Sequence, residues 1–350
     1  MDPARVKRAA RPSAVDSDRL LELIDRFSKV RVAVFGDLIV DEFIYGDISR
    51  VSREAPVLIL NYDSTEIVPG GGGNAAHNVA ALGGAAMSIG FAGQDETGRR
   101  LIDVLRTRVD VRYVVRPRSF RTPTKTRILA GGIHSAKQQV VRIDRSAGPE
   151  LGDAERAAIR KNLLKAAARC DALLVSDYGG GAVSPQLVVE AQKSLRQRRG
   201  AAPPVLVDSR YSLLRYRGMT ACTPNESEVE QLLGVRIRDN LRILERSGRE
   251  LLRRTRSAAV LITRGSRGMA LFEPDRPTLH IPIYGSDQIA DVTGAGDTVI
   301  ATMTLALGAG SSFVEAARLA NYAGGIVVMK RGTATVSANE LRNAVLSDRG

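Results

Sequence analysis

The sequence predicts an α/β fold: a mainly parallel central sheet with helices on both faces, accompanied by a small separate β-sheet. Three observations carry that expectation. From Asp153 onward, strand-length apolar runs alternate with helix-length amphipathic ones, and repeated β-α units build parallel sheets covered on both sides. Val30–Asp37 (VRVAVFGD) is a β-branched apolar run closed by Gly-Asp, the pattern of a buried strand with a polar tip. The stretches Phe43–Asp47, Val57–Tyr62, Thr124–Ala130 and Gln139–Asp144 instead alternate apolar and polar residues, as half-exposed strands do.

In chain order, residues 1–20 read as a mobile basic tail with Pro and Ser, ahead of one domain over 21–345. The strand at Val30 opens that domain. The alternating stretches, drawn from about 43–62 and 124–144, group into the small sheet. Helix Ala154–Arg169 then leads to strand Ala172–Ser176, and helix Pro185–Arg199 to strand Val205–Asp208. Helix Glu226–Leu233, an Arg-rich helix within Arg236–Arg256 and strand Ala259–Thr263 follow. In parallel sheets of this kind ligands bind beyond the carboxyl ends of the strands. The tips there are Gly36-Asp37, Ser176–Gly179, Asp208 and Thr263–Gly265.

Composition removes several function classes. At 350 residues, 44% apolar and 25% charged, the chain has ample material for a core and is not disordered. No run approaches the roughly 18 apolar residues of a membrane helix, and the N-terminus lacks the apolar stretch of a secretory signal. Cys170 and Cys222, the two cysteines, form no disulfide framework or zinc motif, so a cytoplasmic protein is expected. The net charge of +13 invites a nucleic-acid partner. Against it, only eight of the 51 basic residues are Lys, aromatics are 4% with no Trp, and the basic residues are dispersed. Arg238, Arg242, Arg246, Arg249, Arg253 and Arg256 recur at helical spacing, with Glu245 and Glu250 placed to pair along the helix. A solvated face is therefore expected rather than a phosphate-binding stripe.

Two glycine-rich segments carry the chemistry. The first, Pro69-Gly70-Gly71-Gly72-Gly73-Asn74, precedes a helical run from Ala75. Gly71 and Gly72 allow close backbone approach to a ligand at a helix N-terminus. The alternatives are a bare turn, or a dinucleotide fingerprint formed by Gly71, Gly73 and Ala76 with Asp95 about twenty residues on. The second is Asp291-Val292-Thr293-Gly294-Ala295-Gly296-Asp297-Thr298, opening the apolar run Val299–Leu307. Gly294, Ala295 and Gly296 at a helix start form a nest of N–H donors suited to phosphate. Asp297 beside that nest would repel a bound anion. It makes sense if it takes a proton from an attacking hydroxyl while the nest holds the phosphoryl group; the alternative is a helix cap. No G-x-x-x-x-G-K-[ST] occurs, which excludes a P-loop kinase.

Together these segments resemble the two signatures of the ribokinase-like, PfkB family of carbohydrate kinases, over about Val30–Leu341, and TPNESE (Thr223–Glu228) is similar to the family's N-x-x-E motif. Within the family, GDLIVDEFIYGDISRVSREAPV, SDYGGG, RYRGMTACTPNESE and ANYAGGIVVMKRGTATVS are similar to the heptose-7-phosphate kinases, the kinase half of ADP-heptose synthase. Arg53, Gly180, Ser209-Arg210 and an apparent insertion at Gly131–Ala136 depart from that subfamily. The H-x-G-H motif of its second, nucleotidyltransferase half is missing, His77, His134 and His280 being the histidines.

The resemblance implies a three-layer α/β/α kinase with the small sheet as a lid, and it implies roles. Asp297 is the general base, with an ordinary Asp pKa of ~3.9 and so ionised at neutral pH. Gly294, Ala295 and Gly296 donate N–H groups to the phosphoryl group. Asp41 binds sugar hydroxyls with Asn74, and Asp37 is a second candidate. Lys125, Arg127, Gln138 and Arg142 on the lid suit a sugar that already bears phosphate; equally, Arg127 and Arg142 read as surface residues of a sheet that pairs with a second subunit. Asn225 and Glu228 organise waters around Mg²⁺ on ATP. Thr263, Gly265 and Gly268 border the nucleotide, Asn321 and Gly332 flank the adenine, and Asp291 and Thr293 border a K⁺ site. A homodimer joined through the lid is expected from the sheet itself, whose alternating strands leave an apolar face with no helix of its own to cover it. The implied reaction is ATP-dependent phosphorylation of the anomeric hydroxyl of heptose 7-phosphate, with neither nucleic acid nor membrane as partner. The alternative is a relative acting on ribose, a hexose or its phosphate, or a nucleoside; a nucleic-acid-binding or dinucleotide-dependent protein is more remote.

Overall fold

The computed structural model describes residues 16–131, 137–146, 151–198, 200–285, 291–330 and 332–348. Strand β1 (Arg31–Gly36) is buried from Val32 onward. It pairs in parallel with β4 (Ala85–Ile89) on one side and β7 (Ala172–Asp177) on the other. The sheet continues in parallel through β8 (Val205–Ser209), β9 (Ala221–Cys222) and β10 (Ala259–Thr263). It closes with antiparallel β11 (Met269–Phe272) and β12 (Leu279–Ile281). Among the described residues this makes an eight-stranded sheet.

Successive side chains on these strands enter opposite cores, as the two-residue period of a strand demands. Val32, Val34, Leu174, Leu206 and Leu261 face one core, shared with α1 (Ser17–Arg26), α2 (Gly72–Ala81), α3 (Glu96–Leu105), α8 (Ala295–Gly308), α9 (Phe313–Val327) and α10 (Ala338–Ser347). Ala33, Phe35, Val175, Val207 and Ile262 face the other, with α4 (Asp153–Ala167), α5 (Pro185–Arg196), α6 (Glu226–Leu233) and α7 (Leu241–Thr255). The three-layer expectation is met. Residues 17–20, expected within the tail, belong to α1: Asp16 caps it, and Leu20, Leu23 and Ile24 form its buried stripe. Residues 1–15 lie outside the described residues, as does Arg199 at the expected end of α5.

The lid sheet has the order β3-β2-β5-β6, from β2 (Leu38–Val51), β3 (Leu58–Gly71), β5 (Thr124–Gly131) and β6 (Gln138–Arg145). Its strands run beyond the alternating stretches. Pro69, Gly70 and Gly71 pair with Val40, Ile39 and Leu38, so the first glycine segment is a strand end running straight into α2, not a loop. Pro69 is tolerated because β3 is an edge strand. A Cβ on Gly72 would lie 2.8 Å from Cα of Gly36, so the chain crosses β1 there only because both residues are glycine. The dinucleotide reading falls at this point. An antiparallel lid strand precedes the glycines, and Asp95 is spent capping α3 (Gly98 N–H, 2.9 Å) and accepting from the Thr122 hydroxyl (2.7 Å). Of the lid insertion, Gly131 ends β5 and residues 132–136, with His134, lie outside the described residues.

Part of the arginine stripe pairs along α7 itself. Glu245 meets Arg249 at 2.9 Å, and Glu250 meets Arg253 at 2.8 Å and Arg254 at 3.0 Å. Among the described residues no helix is long and apolar enough to cross a membrane.

Candidate active site

The strands β1, β7, β8 and β10 end at one edge of the sheet, and the start of α8 packs against it. Gly294 caps α8 with φ +79°, and a Cβ there would lie 2.6 Å from Nδ2 of Asn74. Glycine therefore lets the N-termini of α2 and α8 meet. Across that contact Nδ2 of Asn74 donates to Oδ2 of Asp297 at 2.9 Å, while the Tyr178 hydroxyl donates to Oδ1 at 3.1 Å. Asn74 is itself held, its Oδ1 accepting from Asn78 at 3.0 Å. The Asn78 Oδ1 in turn accepts from the Thr298 hydroxyl at 3.0 Å.

Asp297 is 2% exposed. Burial pushes its carboxyl up to about 7, against the two donors; Asp41 acts in the same direction as burial and Lys125 opposes it. The expectation of an ordinary, fully ionised Asp is corrected: loss of solvent outweighs the hydrogen bonds. The N–H nest is also smaller than expected, because Ala295 N–H bonds to the Val292 carbonyl at 3.2 Å.

Gly294 and Gly296 line a cleft of about 310 Å³ with Tyr178, Asp208, Arg210, Thr223, Asn225, Glu228 and Thr263. Asn225 and Glu228 form a reciprocal cap on α6: Asn225 Oδ1 accepts from Glu228 N–H at 2.9 Å, and Glu228 Oε2 accepts from Asn225 N–H at 3.0 Å. Burial raises the Glu228 pKa. Asp208 is pushed well above the carboxylate range by burial and then by the charges of Glu228, Asp297 and Asp177. The buried Thr223 hydroxyl has no partner among the described residues. Two buried carboxylates with raised pKa values, an amide and an orphaned hydroxyl, all oxygen donors, suit a hard divalent cation. Among the described residues no cluster of three metal-ligating side chains forms.

Asp41 on β2 lies opposite Lys125 of β5 in the lid register. Its Oδ1 meets Nη1 of Arg127 at 2.5 Å, and its Oδ2 accepts from the Thr333 hydroxyl at 3.3 Å. A Cβ on Gly70 would lie 2.5 Å from that Oδ2, so Gly70, rather than Gly71 or Gly72, is the glycine that makes room for the carboxylate. Lys125 sits with Nζ 4.9 Å from the Tyr178 ring centre. Burial lowers its pKa; Asp41 raises it, and the nearby cations Arg210, Arg142 and Arg127 lower it further. Lys125, Tyr178, Gly180 and Tyr211 line an adjoining cavity of about 420 Å³.

Other expected residues are held by neighbours within the protein or lie apart from the cleft. Asp37 accepts from the N–H groups of Tyr178 (2.8 Å), Gly180 (2.9 Å) and Ala182 (3.1 Å); its carboxylate is consumed in anchoring the loop after β7. Arg142 is clasped by Asp144 at 2.7 Å. Gln138 is exposed opposite Ala130, five register steps along β5 from Lys125. Gly268, at φ +74°, packs against the backbone of Ile281 and Pro282 to close the β10–β11 turn, whereas Gly265 lines a groove beside Asn225 and Arg264. Asn321 donates to the Pro282 carbonyl at 2.9 Å, in a cavity sharing no lining residue with the 310 Å³ cleft. Gly332 does not sit with it: its N–H donates to Oδ2 of Asp291 at 3.1 Å, and Phe43 of the lid is its neighbour. Asp291 Oδ1 accepts from Thr293 N–H at 2.8 Å, so its carboxylate ties the loop before α8 to the segment after α9. Tyr178 lies in the SDYGGG segment and Asp208 in no motif; the sequence offered both as strand tips without indicating that they sit beside Asp297.

A family model described as pfkB family carbohydrate kinase matches residues 30–340. The chain belongs to the pfkB family of carbohydrate kinases. It is 40% identical over 314 residues to the bifunctional protein HldE of Geobacter sulfurreducens, and 40% identical over 321 residues to that of Proteus mirabilis. These matches cover 89% and 91% of this kinase but 62% and 64% of the relatives, so the chain spans less than two thirds of their length. Solved structures share the ribokinase-like fold. Phosphofructokinase-2 from Escherichia coli in complex with potassium superposes with a TM-score of 0.71 at 18% identity, covering 92% of this kinase and 99% of that chain. Arabidopsis thaliana ribokinase complexed with ribose and ATP gives 0.67 at 20% identity, covering 91% and 98%. Family membership brings with it a sugar acceptor, ATP as donor and a divalent cation.

Proposed function

We propose that this kinase transfers the γ-phosphoryl group of ATP to the anomeric hydroxyl of heptose 7-phosphate, giving heptose 1,7-bisphosphate. The observation that carries the chemistry is Asp297: buried, held on both oxygens by Asn74 and Tyr178, and set at the helix start where Gly294 and Gly296 face the cleft. A carboxylate with a pKa of about 7 is matched to accepting a hydroxyl proton near neutral pH. The attacking oxygen bonds to the γ-phosphorus as its proton passes to Asp297, and ADP leaves. Backbone N–H groups at the start of α8, with the positive end of the helix dipole, favour the charge that develops on the phosphoryl oxygens.

Asp41 would bind sugar hydroxyls, kept in place by Arg127 and Thr333. Lys125, with Arg142 and Arg210 near it, supplies the cations that a phosphate on the acceptor requires. Similarity to the HldE relatives supports the heptose phosphate as that acceptor. Asn225 and Glu228, with Asp208 opposite, would hold Mg²⁺, which screens the nucleotide's negative charge when bound. Thr263 and Gly265 would border the nucleotide, with Asn321 toward the base. Asp291 and Thr293 would border a K⁺ site made of loop carbonyls. The ATP requirement fits a cytoplasmic setting.

We also propose a homodimer through the lid. Ile48, Val51, Leu58, Val141 and Ile143 are all more than 40% exposed on that sheet, and such a patch fits burial against a second copy. A monomer in light scattering at micromolar concentration would contradict it. The test of the reaction is coupled ADP release over a panel of free sugars and sugar phosphates. Turnover is expected with heptose 7-phosphate well above the rest. Preference for ribose, a hexose or a nucleoside would assign another member of the family.

A further inference from the structure

Tyr178, in the SDYGGG segment after β7, is a donor to Asp297 to which the sequence assigned no role, and it is also a core residue that the lid reaches. Its hydroxyl bonds to Oδ1 of Asp297 at 3.1 Å, and Nζ of Lys125 stands 4.9 Å from its ring centre. The ring therefore lines both the 310 Å³ cleft and the 420 Å³ cavity under the lid. Its own backbone is fixed, since Tyr178 N–H donates to Asp37 at 2.8 Å. The groups that face Asp297 are Asn74 from α2, Tyr178 after β7, Asp41 from β2 and Lys125 from β5, with Asp208 of β8 also close.

Building on the base role of Asp297, we propose that Tyr178 is a positioning residue that fixes Oδ1 of Asp297 toward the acceptor hydroxyl and links the base to Lys125 of the lid. A carboxylate oxygen accepts two hydrogen bonds, so the acceptor hydroxyl joins Asp297 without displacing Tyr178 or Asn74. Burial and the neighbouring carboxylates raise the phenol's pKa well above 10. Tyr178 therefore stays a donor at neutral pH and does not compete for the proton. Donation to the ionised carboxylate favours that form, which works against the burial of Asp297. The cation over the ring face adds an attraction that holds Lys125 to the core.

The test uses the full chain, saturating MgATP and the sugar that the wild type turns over best. Tyr178→Phe keeps the ring and removes the donor. Expected is a fall in kcat of about tenfold, the usual order for a hydrogen bond to a charged group, with the sugar KM within about twofold. The acid limb of kcat/KM should move up by about one pH unit. Tyr178→Leu also removes the ring, so the sugar KM should rise severalfold as Lys125 loses its contact. Site-specific 3-fluorotyrosine at position 178 keeps the shape with a stronger donor, and should move the acid limb down. An unmoved limb in both the Phe and fluorotyrosine proteins overturns the proposal, even if kcat falls, because a packing role would do that alone. An unchanged KM in Tyr178→Leu overturns the link to the lid. Asp297→Asn separates the two readings: if it retains turnover the base role itself fails, whereas an inactive Asp297→Asn with an unmoved limb in the position-178 proteins sinks only this inference.

Discussion

Asn74 and Asp297, 223 residues apart in the chain, meet in a buried hydrogen bond of 2.9 Å. It joins the first turns of two helices, each capped by glycine, and so makes one site of the two glycine-rich segments. The donor on Asn74 opposes the burial that raises the Asp297 pKa.

Replacing that donor with a second acid should reverse its effect. In Asn74→Asp a carboxyl faces Asp297 and like charges at this distance cannot both ionise readily. The acid limb of the pH–rate profile is expected to move up by at least about one unit, with kcat at pH 7 reduced more than tenfold. A profile that overlays the wild type would show that Asn74 does not act on the base.

The wild-type profile is itself diagnostic. With a base of pKa about 7, kcat/KM should climb about tenfold per pH unit below that value and level off above it. An Asp near ~3.9 would instead leave the profile flat above about pH 5. Stability should run the other way. The folded protein binds this proton more tightly than the unfolded chain, so the linked stability is full below about pH 4 and is lost as pH rises toward about 7. Asp297→Asn should therefore gain in Tm, relative to the wild type, more at pH 8 than at pH 5. Equal differences at the two pH values would argue that the carboxylate is not penalised by burial.

The strand and helix alternation of the core was legible because each β-α unit carries its own two-residue or helical periodicity. The lid was legible only in part. Pro69, Gly70 and Gly71 look like a loop in one dimension, and they end a strand because β3 lies at a sheet edge where Pro costs no ladder bond. The segment Asp291–Thr298 could be read directly as a candidate site, since a glycine cap, small residues and an acid at a helix start state their chemistry locally. Tyr178 and Asp208 could not. Their roles arise from strands β7 and β8 ending beside α8, a relation the sequence does not write down. The raised pKa of Asp297 was hidden for the same reason, because burial is a property of the assembled core. Gly332, a position assigned by resemblance, makes contacts that the sequence does not show either: its N–H meets Asp291 and its neighbour is Phe43 of the lid.

Arg127 and Asp41 form a nearly buried pair, with side chains 12% and 9% exposed. Arg127→Met should leave the Asp41 carboxylate without its cation and destabilise the protein by about 3–5 kcal/mol. Because Asp41 is then misplaced, the sugar KM should rise by more than the MgATP KM. Denaturant unfolding and two-substrate kinetics check both parts; equal shifts in the two KM values would remove Asp41 from the sugar site.

The most direct measurement is ADP release with heptose 7-phosphate by the wild type and Asp297→Asn, each shown to be folded by its melting curve. The amide keeps the shape of the carboxylate but cannot accept a proton. Turnover should fall by about 10²–10⁴-fold, in kcat and kcat/KM together, while ATP binding persists. Near wild-type turnover in the folded variant would contradict the assignment of Asp297 as the base that activates the sugar hydroxyl.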